Sequence, residues 1–361
     1  MRFARSLTLA LFCATALQTA ASASDILSPQ IREQVKGELV WHDGSGGALT
    51  RARDETTNKD FIGETGVDLK ADFNADTTKF FAAQEAEANI PWSMIEFPTK
   101  GDFLRARDAG YVQKLDPAIV DVSKLIPGTY DEYGVDTMRY GIVLTYNTDK
   151  FSGDAAPTKM GDLYDTQKFP GKRCMFKYPQ YGAVLESALI ADGVERDKLY
   201  PLDLDKAFAK LDTIKSDILW WSNGDDAIRL LSSGECSIGI AWSGRVFNAA
   251  KKDKAPIAMV WQDSLYSSSV YAVPKGAPNP VAGQAMIAHF IGDVEGQVAL
   301  VKELTYTTGL AALSPADYGD EVAPFIVAGE NEKKAILEDA AYYAKNISEV
   351  ADRFNRWVAT N

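Results

Sequence analysis

Histidine is scarce in this sequence, and this scarcity limits the chemistry that the chain can perform. His42 and His289 are the two histidines among 361 residues, so a three-histidine metal site and most histidine-based acid–base schemes lack their parts. Ser45 lies three residues after His42, but it has no Gly-x-Ser-x-Gly surroundings. The residues therefore disfavour a hydrolase, and His289, in an apolar helical stretch, is expected to pack or to face solvent.

A glycine-rich segment offers a different chemistry. Gly44-Ser45-Gly46-Gly47 follows a predicted strand, and glycines there let the backbone turn sharply and point N–H groups at an oxyanion or a ligand carboxylate. The alternative is a tight turn between a strand and a helix. The segment has neither the third glycine of a dinucleotide fingerprint nor the Lys-Ser/Thr of a phosphate-binding loop.

A second candidate cluster lies between residues 218 and 245. Trp242 ends a predicted strand, and Arg245 follows it in Ser243-Gly244-Arg245. Aromatic side chains at strand ends line clefts in open α/β sheets, and an arginine beside them can bind a carboxylate through two hydrogen bonds. Asp226 is expected to be the N-cap of a helix over Ala227–Leu231.

Short apolar runs alternate with helically patterned stretches along the chain. The predicted strands are Gly37–Trp41, Val67–Phe73, Trp92–Phe97, Tyr140–Tyr146, Cys174–Tyr178, Ile218–Trp221, Ser237–Trp242, Ile257–Trp261 and Val270–Val273. The predicted helices include Thr77–Asn89, Gly182–Ala191 and Ile336–Asn361. This alternation predicts an α/β protein with largely parallel sheets, and turn-rich segments at 126–134 and 264–274 suggest changes of domain.

The charge balance excludes a further class of function. The 38 basic and 50 acidic residues give a net charge of −12, which disfavours nucleic acid and anionic membranes as partners. Residues 1–23 combine Arg2 and Arg5, an apolar core and Ala21-Ser22-Ala23, the pattern of a cleavable secretory signal. Because residues 1–23 include those two arginines and no acid, cleavage would take the net charge from −12 to −14.

Cys174 and Cys236 remain after the signal and lie near the starts of two predicted strands. Export to an oxidising compartment permits a disulfide between them. Two buried thiols are the alternative, and the residues alone do not decide between these states.

The order of several short motifs resembles the periplasmic solute-binding proteins of ABC importers, in the group that includes the spermidine/putrescine-binding proteins. The motifs are the glycine loop, Phe61–Val67, Tyr140-Gly141 with Tyr146–Lys150, Gly234-Glu235, Ala241–Arg245 and Val273–Asn279. The resemblance implies a two-lobed α/β fold of the type II "Venus flytrap" class, each lobe a mostly parallel sheet flanked by helices. It further implies lobes of 24–137 plus 272–325 and of 138–271 plus 326–361.

The mechanism implied by the resemblance is capture of a solute by hinge closure and delivery to a membrane permease. We therefore expect a periplasmic monomer that is not an enzyme and needs no cofactor or metal. A bilobal enzyme is the disfavoured alternative.

Departures from the polyamine binders bear on the ligand. The polyamine binders hold the amine with an aromatic residue and an aspartate, and this chain has Ser267 and Ser269 at the aligned positions. Gln180 likewise stands where that group has an acidic residue. A buried dication without carboxylates would be unpaired, so the resemblance favours a small carboxylate or a zwitterion like γ-aminobutyrate. The candidate ligand-binding residues are Ser45, Gly46, Gly47, Thr99, Tyr140, Gln180, Trp242, Arg245, Tyr266, Ser267 and Ser269.

Two alternatives within the same superfamily stay open. A polyamine binder would use an acid such as Asp225, Asp226 or Asp263 for the amine. A ferric-iron binder would use adjacent tyrosines such as Tyr342 and Tyr343, although neighbours on a helix point about 100° apart, and core packing is the competing interpretation.

Overall fold

The computed structural model describes residues 25–44, 48–72 and 77–360. The predicted signal at 1–23 and the predicted ligand-binding residues Ser45, Gly46 and Gly47 lie outside the described residues. Within them, no helix is long and apolar enough to cross a membrane.

Most strands follow the predicted apolar runs. The strands are β1 (Glu38–His42), β2 (Asp68–Asp72), β3 (Met94–Phe97), β4 (Gly134–Asn147), β5 (Lys172–Phe176), β6 (Ile218–Trp221), β7 (Cys236–Trp242), β8 (Ile257–Ala272) and β9 (Ile336–Leu337). Most of their residues are buried, as expected of strands covered by helices on both faces. Strand β4 begins six residues before its predicted start at Tyr140. A further exception, in β8, is described below.

Helices connect the strands and cover both faces of the sheet. They are α1 (Pro29–Gln34), α2 (Ala48–Glu55), α3 (Thr57–Thr65), α4 (Thr77–Glu85), α5 (Lys100–Asp108), α6 (Val184–Ala191), α7 (Leu204–Asp212), α8 (Gly224–Ser232), α9 (Ser243–Phe247), α10 (Pro280–Gly292), α11 (Val294–Leu304), α12 (Pro315–Tyr318), α13 (Gly329–Lys334) and α14 (Ala340–Ala359). The start of the predicted helix Ile336–Asn361 is the short strand β9, and α14 begins only at Ala340.

Two long strands join the two halves of the sheet. The strand order in the described residues is β2-β1-β3-β8-β4-β7-β5-β6, with β9 beside β8. Parallel pairs β2-β1-β3 form one half and β7-β5-β6 form the other. The antiparallel ribbon of β4 and β8 pairs with β3 at one end and with β7 at the other. We call the β1–β3 half the first lobe and the β5–β7 half the second lobe.

Each lobe has its own apolar core. Side chains such as Trp41, Phe61 and Phe290 fill the first lobe, and a further cluster around Phe97 and Phe103 packs α5 onto β3. The second lobe is filled by the strand side chains of β5–β7 together with Phe354 of the carboxyl-terminal helix. Separate cores joined by two strands are the arrangement that permits hinge motion.

The prediction of two strands at Ile257–Trp261 and Val270–Val273 was wrong, because β8 is one continuous strand. The serines between them are buried and bonded: Ser264 donates to the carbonyl of Val260 at 2.7 Å, and Ser268 donates to Asp136 at 2.8 Å. A hydroxyl with a partner can occupy a buried strand position that sequence patterning assigns to a loop.

The prediction of Asp226 as an N-cap was also wrong. Asn223 caps α8, since its side-chain oxygen accepts from the backbone N–H of Asp226 at 3.0 Å. Asp226 instead lies in the first turn, where its charge favours the helix dipole.

The alternatives left open for the cysteines are resolved by the structure. Cys174 on β5 and Cys236 on β7 form a disulfide, with their Cα atoms 5.7 Å apart. The two strands are parallel neighbours, so the bridge stays within the second lobe.

Candidate functional site

A cavity of about 300 Å³ lies between the two lobes and against the β4–β8 ribbon. Its volume is at the small end of the range for sites that enclose small molecules. The lining residues are Gly44, Leu49, Pro98, Met138, Tyr140, Phe176, Tyr181, Trp242, Gly244, Arg245, Asn248, Ser269, Leu304 and Tyr306. Both lobes and both hinge strands therefore contribute to the same enclosure.

An aromatic wall from the second lobe forms one side of the cavity. The ring of Phe176, at the end of β5, lies 5.5 Å from that of Trp242, and Trp221 supports both rings from the buried side. The indole N–H of Trp242 donates to the carbonyl of Tyr181 at 3.1 Å. This bond fixes the indole plane, so the ring faces presented to the cavity are pre-organised.

The hinge strands and the loop after β3 form the floor. The Tyr140 hydroxyl of β4 donates to the carbonyl of Pro98 at 3.1 Å, and the Ser269 hydroxyl of β8 donates to the same carbonyl at 3.2 Å. The ring of Tyr306 lies edge-on to Tyr140, with centroids 6.2 Å apart. The loop of the first lobe is thereby attached directly to the hinge.

Arg245 is the cation that lines the cavity. Its guanidinium lies 5.9 Å from the ring of Trp242 and contacts Asp225, whose side chain is 88 % exposed. A Cβ atom at Gly224 would collide with the Arg245 side chain, so glycine there lets the arginine lie against the start of α8. Exposed ion pairs contribute little, and a ligand carboxylate can replace Asp225 at small cost.

Asn248 lines the cavity beside this arginine. Its side-chain oxygen is buried and has no hydrogen-bond partner among the residues that the structure describes. A buried polar atom without a partner is costly, and a ligand donor would satisfy it.

The electrostatic environment differs across the cavity. Burial raises the pKa of Tyr306 to about 12, while the charge of Arg245 acts to lower it. Burial and, after it, the charge of Glu338 raise the pKa of Tyr140 well above the ordinary value. Burial and, after it, the charge of Asp102 do the same to the pKa of Tyr181. Arg245 thus brings positive charge near Tyr306, while the buried carboxyl groups of Glu338 and Asp102 lie near Tyr140 and Tyr181.

The predicted ligand-binding residues divide into two sets by location. Tyr140, Trp242, Arg245 and Ser269 line the cavity, and Gly44 of the glycine loop does as well. Four others lie elsewhere: Thr99 caps α5, Gln180 borders a water-sized void beside Asp102, Tyr266 packs against Arg139, and Ser267 donates to Glu338 at 3.0 Å. Ser45, Gly46 and Gly47 lie outside the described residues.

Ser267 lies on the same face of β8 as Ser269, but its hydroxyl donates to Glu338, and Ser267 is not among the residues that line the cavity. The ligand-binding role of each member of the full set stays a prediction.

Several lining residues were missed by sequence reasoning. Phe176 and Tyr181 flank the Tyr178-Pro179-Gln180 turn, and the aromatic density there was an available signal. Tyr306 and Asn248 carried no local signal, because they reach the cavity only through the packing of α9 beside the segment after α11.

The tyrosines considered for iron lie away from the cavity. Tyr343 is buried in the second lobe, and its hydroxyl donates to Glu186 at 2.7 Å. Tyr342 packs against Tyr200. Core packing is therefore the role that the structure gives this pair.

Comparison with known proteins identifies the family. The model of the bacterial extracellular solute-binding proteins matches residues 57–323. This chain belongs to that family. The γ-aminobutyric acid-binding protein of Pseudomonas aeruginosa is 32 % identical over 324 residues, which cover 87 % of this solute-binding protein and 89 % of the relative.

Solved structures give the same assignment for this solute-binding protein. The Atu4243–GABA receptor superposes with a TM-score of 0.79 and 32 % identity, covering 90 % of this chain and 98 % of that one. The binding protein MotA of Agrobacterium tumefaciens B6, in complex with glucopine, has a TM-score of 0.77 and 26 % identity, covering 89 % and 99 %. The predicted family and its two-lobed α/β fold are confirmed.

Proposed function

We propose that this protein is the substrate-binding subunit of an ABC importer and that its cavity binds γ-aminobutyrate or a close zwitterionic analogue. The observation that carries the proposal is the pairing of one arginine with aromatic walls in a cavity that spans both lobes. Two relatives at 32 % identity are named for γ-aminobutyrate.

The carboxylate of the ligand would bind beside Arg245. Arg245 offers a planar guanidinium suited to two parallel hydrogen bonds, and its exposed partner Asp225 is easily displaced. The Tyr306 hydroxyl is protonated at neutral pH, and burial raises its pKa further, to about 12, so it can donate to the same group.

The ammonium would lie toward Tyr140, Tyr181 and Trp242. The faces of these rings attract cations, and the buried carboxyl groups of Asp102 and Glu338 lie behind the two tyrosines. No Asp or Glu lines the cavity among the described residues. A single ammonium can be held by ring faces, whereas a polyamine brings further cations into the same space.

Closure would link binding to transport. A ligand that contacts both lobes binds the closed form preferentially and shifts the population toward it. We propose lobe bounds near 137/138 and 271/272, within β4 and β8. The separate cores support two lobes divided in these strands, with Met138 and Tyr271 packing in the first-lobe core. An inner-membrane permease would recognise the closed form, so the mature protein would act in the periplasm.

Calorimetric titration with four matched compounds tests the ligand. γ-Aminobutyrate should bind tightest, butyrate lacks its ammonium, butylamine lacks its carboxylate, and putrescine carries a second ammonium in place of the carboxylate. Arg245→Ala should weaken γ-aminobutyrate binding by about 100-fold, because a desolvated charge pair at an interface contributes about 2–5 kcal/mol.

Arg229→Ala is the matched control, since Arg229 is an exposed arginine of α8 paired with Glu235. The control should bind like the wild type. Tighter binding of putrescine than of γ-aminobutyrate, or an unchanged affinity in Arg245→Ala, would contradict the proposal.

A further inference from the structure

The loop between β5 and α6 holds an unfavourable backbone conformation beside the cavity. Tyr181 has φ +68° and Ala183 has φ +51°, values in the left-handed region that non-glycine residues adopt at a cost of about 1–3 kcal/mol. A Cβ atom at Gly182 would lie 2.7 Å from Cβ of Phe176, so the loop is also pressed against the end of β5. Such a conformation persists only where its surroundings hold it.

The conformation aims Tyr181 across the cleft. Its carbonyl accepts from the indole of Trp242 in its own lobe at 3.1 Å. Its hydroxyl donates to Oδ2 of Asp102 at 3.0 Å. Asp102 belongs to α5 of the first lobe, so this hydrogen bond joins the two lobes beside the cavity that Tyr181 lines.

Asp102 is held rigidly to receive this bond. Its backbone N–H donates to the Thr99 hydroxyl at 3.2 Å, and that hydroxyl donates to Oδ2 at 3.1 Å. Both bonds lie within the first turn of α5, so the first lobe itself holds the acceptor in position. Gly101, next to Asp102, lies against Ala340 of α14, where an added Cβ would be 3.4 Å from the carbonyl oxygen, so α5 and the second lobe also meet at this point.

The buried carboxylate of Asp102 is stabilised by the groups that donate hydrogen bonds to it. Asp102 is largely buried, with Arg105 at 3.8 Å as its cation. Burial raises the pKa of Asp102, and Arg105 and the Tyr181 hydroxyl act against that rise. When the lobes separate, the Tyr181 donor is withdrawn and water must replace it.

We propose that Tyr181, besides lining the cavity, forms with Asp102 an interlobe clasp that stabilises the closed cleft. The clasp concerns closure itself, so it goes beyond the proposed function and does not depend on which solute fills the cavity. Its strained loop is stabilised by the contacts with Trp242 and Asp102, and ligand bound against the Trp242 ring reinforces one of them.

A double-mutant cycle tests the clasp, with γ-aminobutyrate as the probe. Tyr181→Phe keeps the ring and removes the donor, and Asp102→Asn keeps the shape and removes the charge. Because a hydrogen bond to a charged acceptor is stronger than one to a neutral acceptor, each single variant should bind about 10-fold more weakly, through faster dissociation. The double variant should also lose about 10-fold rather than 100-fold, because both changes weaken the same charged hydrogen bond.

Tyr178→Phe is the matched control, since Tyr178 lies in the same turn with its side chain 43 % exposed. It should leave dissociation unchanged. Losses that multiply in the double variant would overturn the clasp.

Small-angle scattering of the ligand-free proteins supplies a readout that needs no ligand. Tyr181→Phe should have a larger radius of gyration than the wild type and Tyr178→Phe, since loss of the clasp favours the open form. Equal radii would overturn the inference. A wild type that fails to bind γ-aminobutyrate would contradict the proposed solute alone, while the scattering comparison would still decide the clasp.

Discussion

Buried charge lies in both lobes, but the two clusters are balanced differently. In the first lobe, Arg53 is fully buried, donates to both carboxylate oxygens of Glu96, and lies between the rings of Trp41 and Tyr271. In the second lobe, buried Glu186 accepts from two tyrosine hydroxyls, and buried Glu338 accepts from Ser267. No salt bridge joins these two glutamates to a cation in the part of the chain that the structure describes.

The acid–base behaviour follows from this difference. Burial opposes the charge of Arg53, but Glu96 outweighs it and holds the pKa of the guanidinium above its ordinary value. Burial, reinforced by the charge of Glu186, raises the pKa of Glu338 to about 8. In the first cluster, the buried positive charge of Arg53 is paired with the negative charge of Glu96. In the second cluster, the protonation of the buried glutamates depends on the charges around them. A ligand ammonium bound near Tyr140 and Tyr181 would bring a positive charge close to the second cluster.

Removal of the buried cation should have the largest effect. Arg53→Leu is expected to lower the free energy of unfolding by about 3–5 kcal/mol, because Glu96 would remain buried without its guanidinium. Urea denaturation at pH 7 measures the change. Arg53→Leu combined with Glu96→Leu should recover much of the loss. A single-variant loss below about 1 kcal/mol would mean that Arg53 does not compensate the buried charge of Glu96.

Neutralising Glu338 should have the opposite sign and depend on pH. The folded pKa of about 8 lies above the ordinary value of 4.5. The protonated carboxyl therefore contributes its full stability below pH 4.5, and this contribution is lost as the pH rises toward 8. Glu338→Gln should melt about 2–5 °C above the wild type at pH 8.5, and at the same temperature at pH 4.

Thermal melts of Glu338→Gln at both pH values check this prediction. Glu349→Gln is the control on the same stretch of chain, since Glu349 is exposed on α14, and it should show no such dependence. A lower melting temperature for Glu338→Gln at pH 8.5 would show that the glutamate is favoured in its charged form.

An ion pair between a buried aspartate and a partly buried lysine should give the smallest effect. Lys100 lies 3.1 Å from Asp136, a carboxylate that also accepts from Ser268 at 2.8 Å. Lys100→Met should cost about 1 kcal/mol at pH 7, because Asp136 keeps its hydroxyl donor. Burial raises the pKa of Asp136 and Lys100 opposes that rise, so the deficit should shrink as acid protonates Asp136.

Urea denaturation of Lys100→Met at pH 7 and pH 4 measures that trend. If Lys100→Met lowered the free energy of unfolding as much as Arg53→Leu does, the effect of removing a cation would not depend on how deeply that cation is buried. A deficit that grows in acid would contradict the role assigned to Asp136.

The local pattern of apolar residues was sufficient to predict many of the strands. Ile218–Trp221 is a strand at the predicted bounds, and β7 begins one residue before its prediction, because continuous apolar runs specify strands buried on both faces. Prediction failed where polar residues are buried with partners, as in the serines of β8. The hydrogen bonds that permit such serines come from distant segments and leave no local signal.

The part of the candidate site that lies at strand ends was also predictable from local pattern. Trp242 and Arg245 stand at a strand end, where clefts form, and both line the cavity. Tyr306 and Asn248 line it as well, but their position depends on how α9 packs beside the segment after α11. The role of Tyr181 depends further on a left-handed backbone and an acceptor 79 positions away in the sequence.

Motif order and strand periodicity are local properties of the chain, and they were sufficient to predict the family and the α/β class. The same local pattern predicted Trp242 and Arg245 as cleft residues, and both line the cavity. Tertiary structure alone decided that Cys174 joins Cys236, which lining residues enclose the cavity, and which buried charges are compensated. Those features arise between segments far apart in the chain. Their energies depend on distance and burial, and both are set only when the lobes pack together.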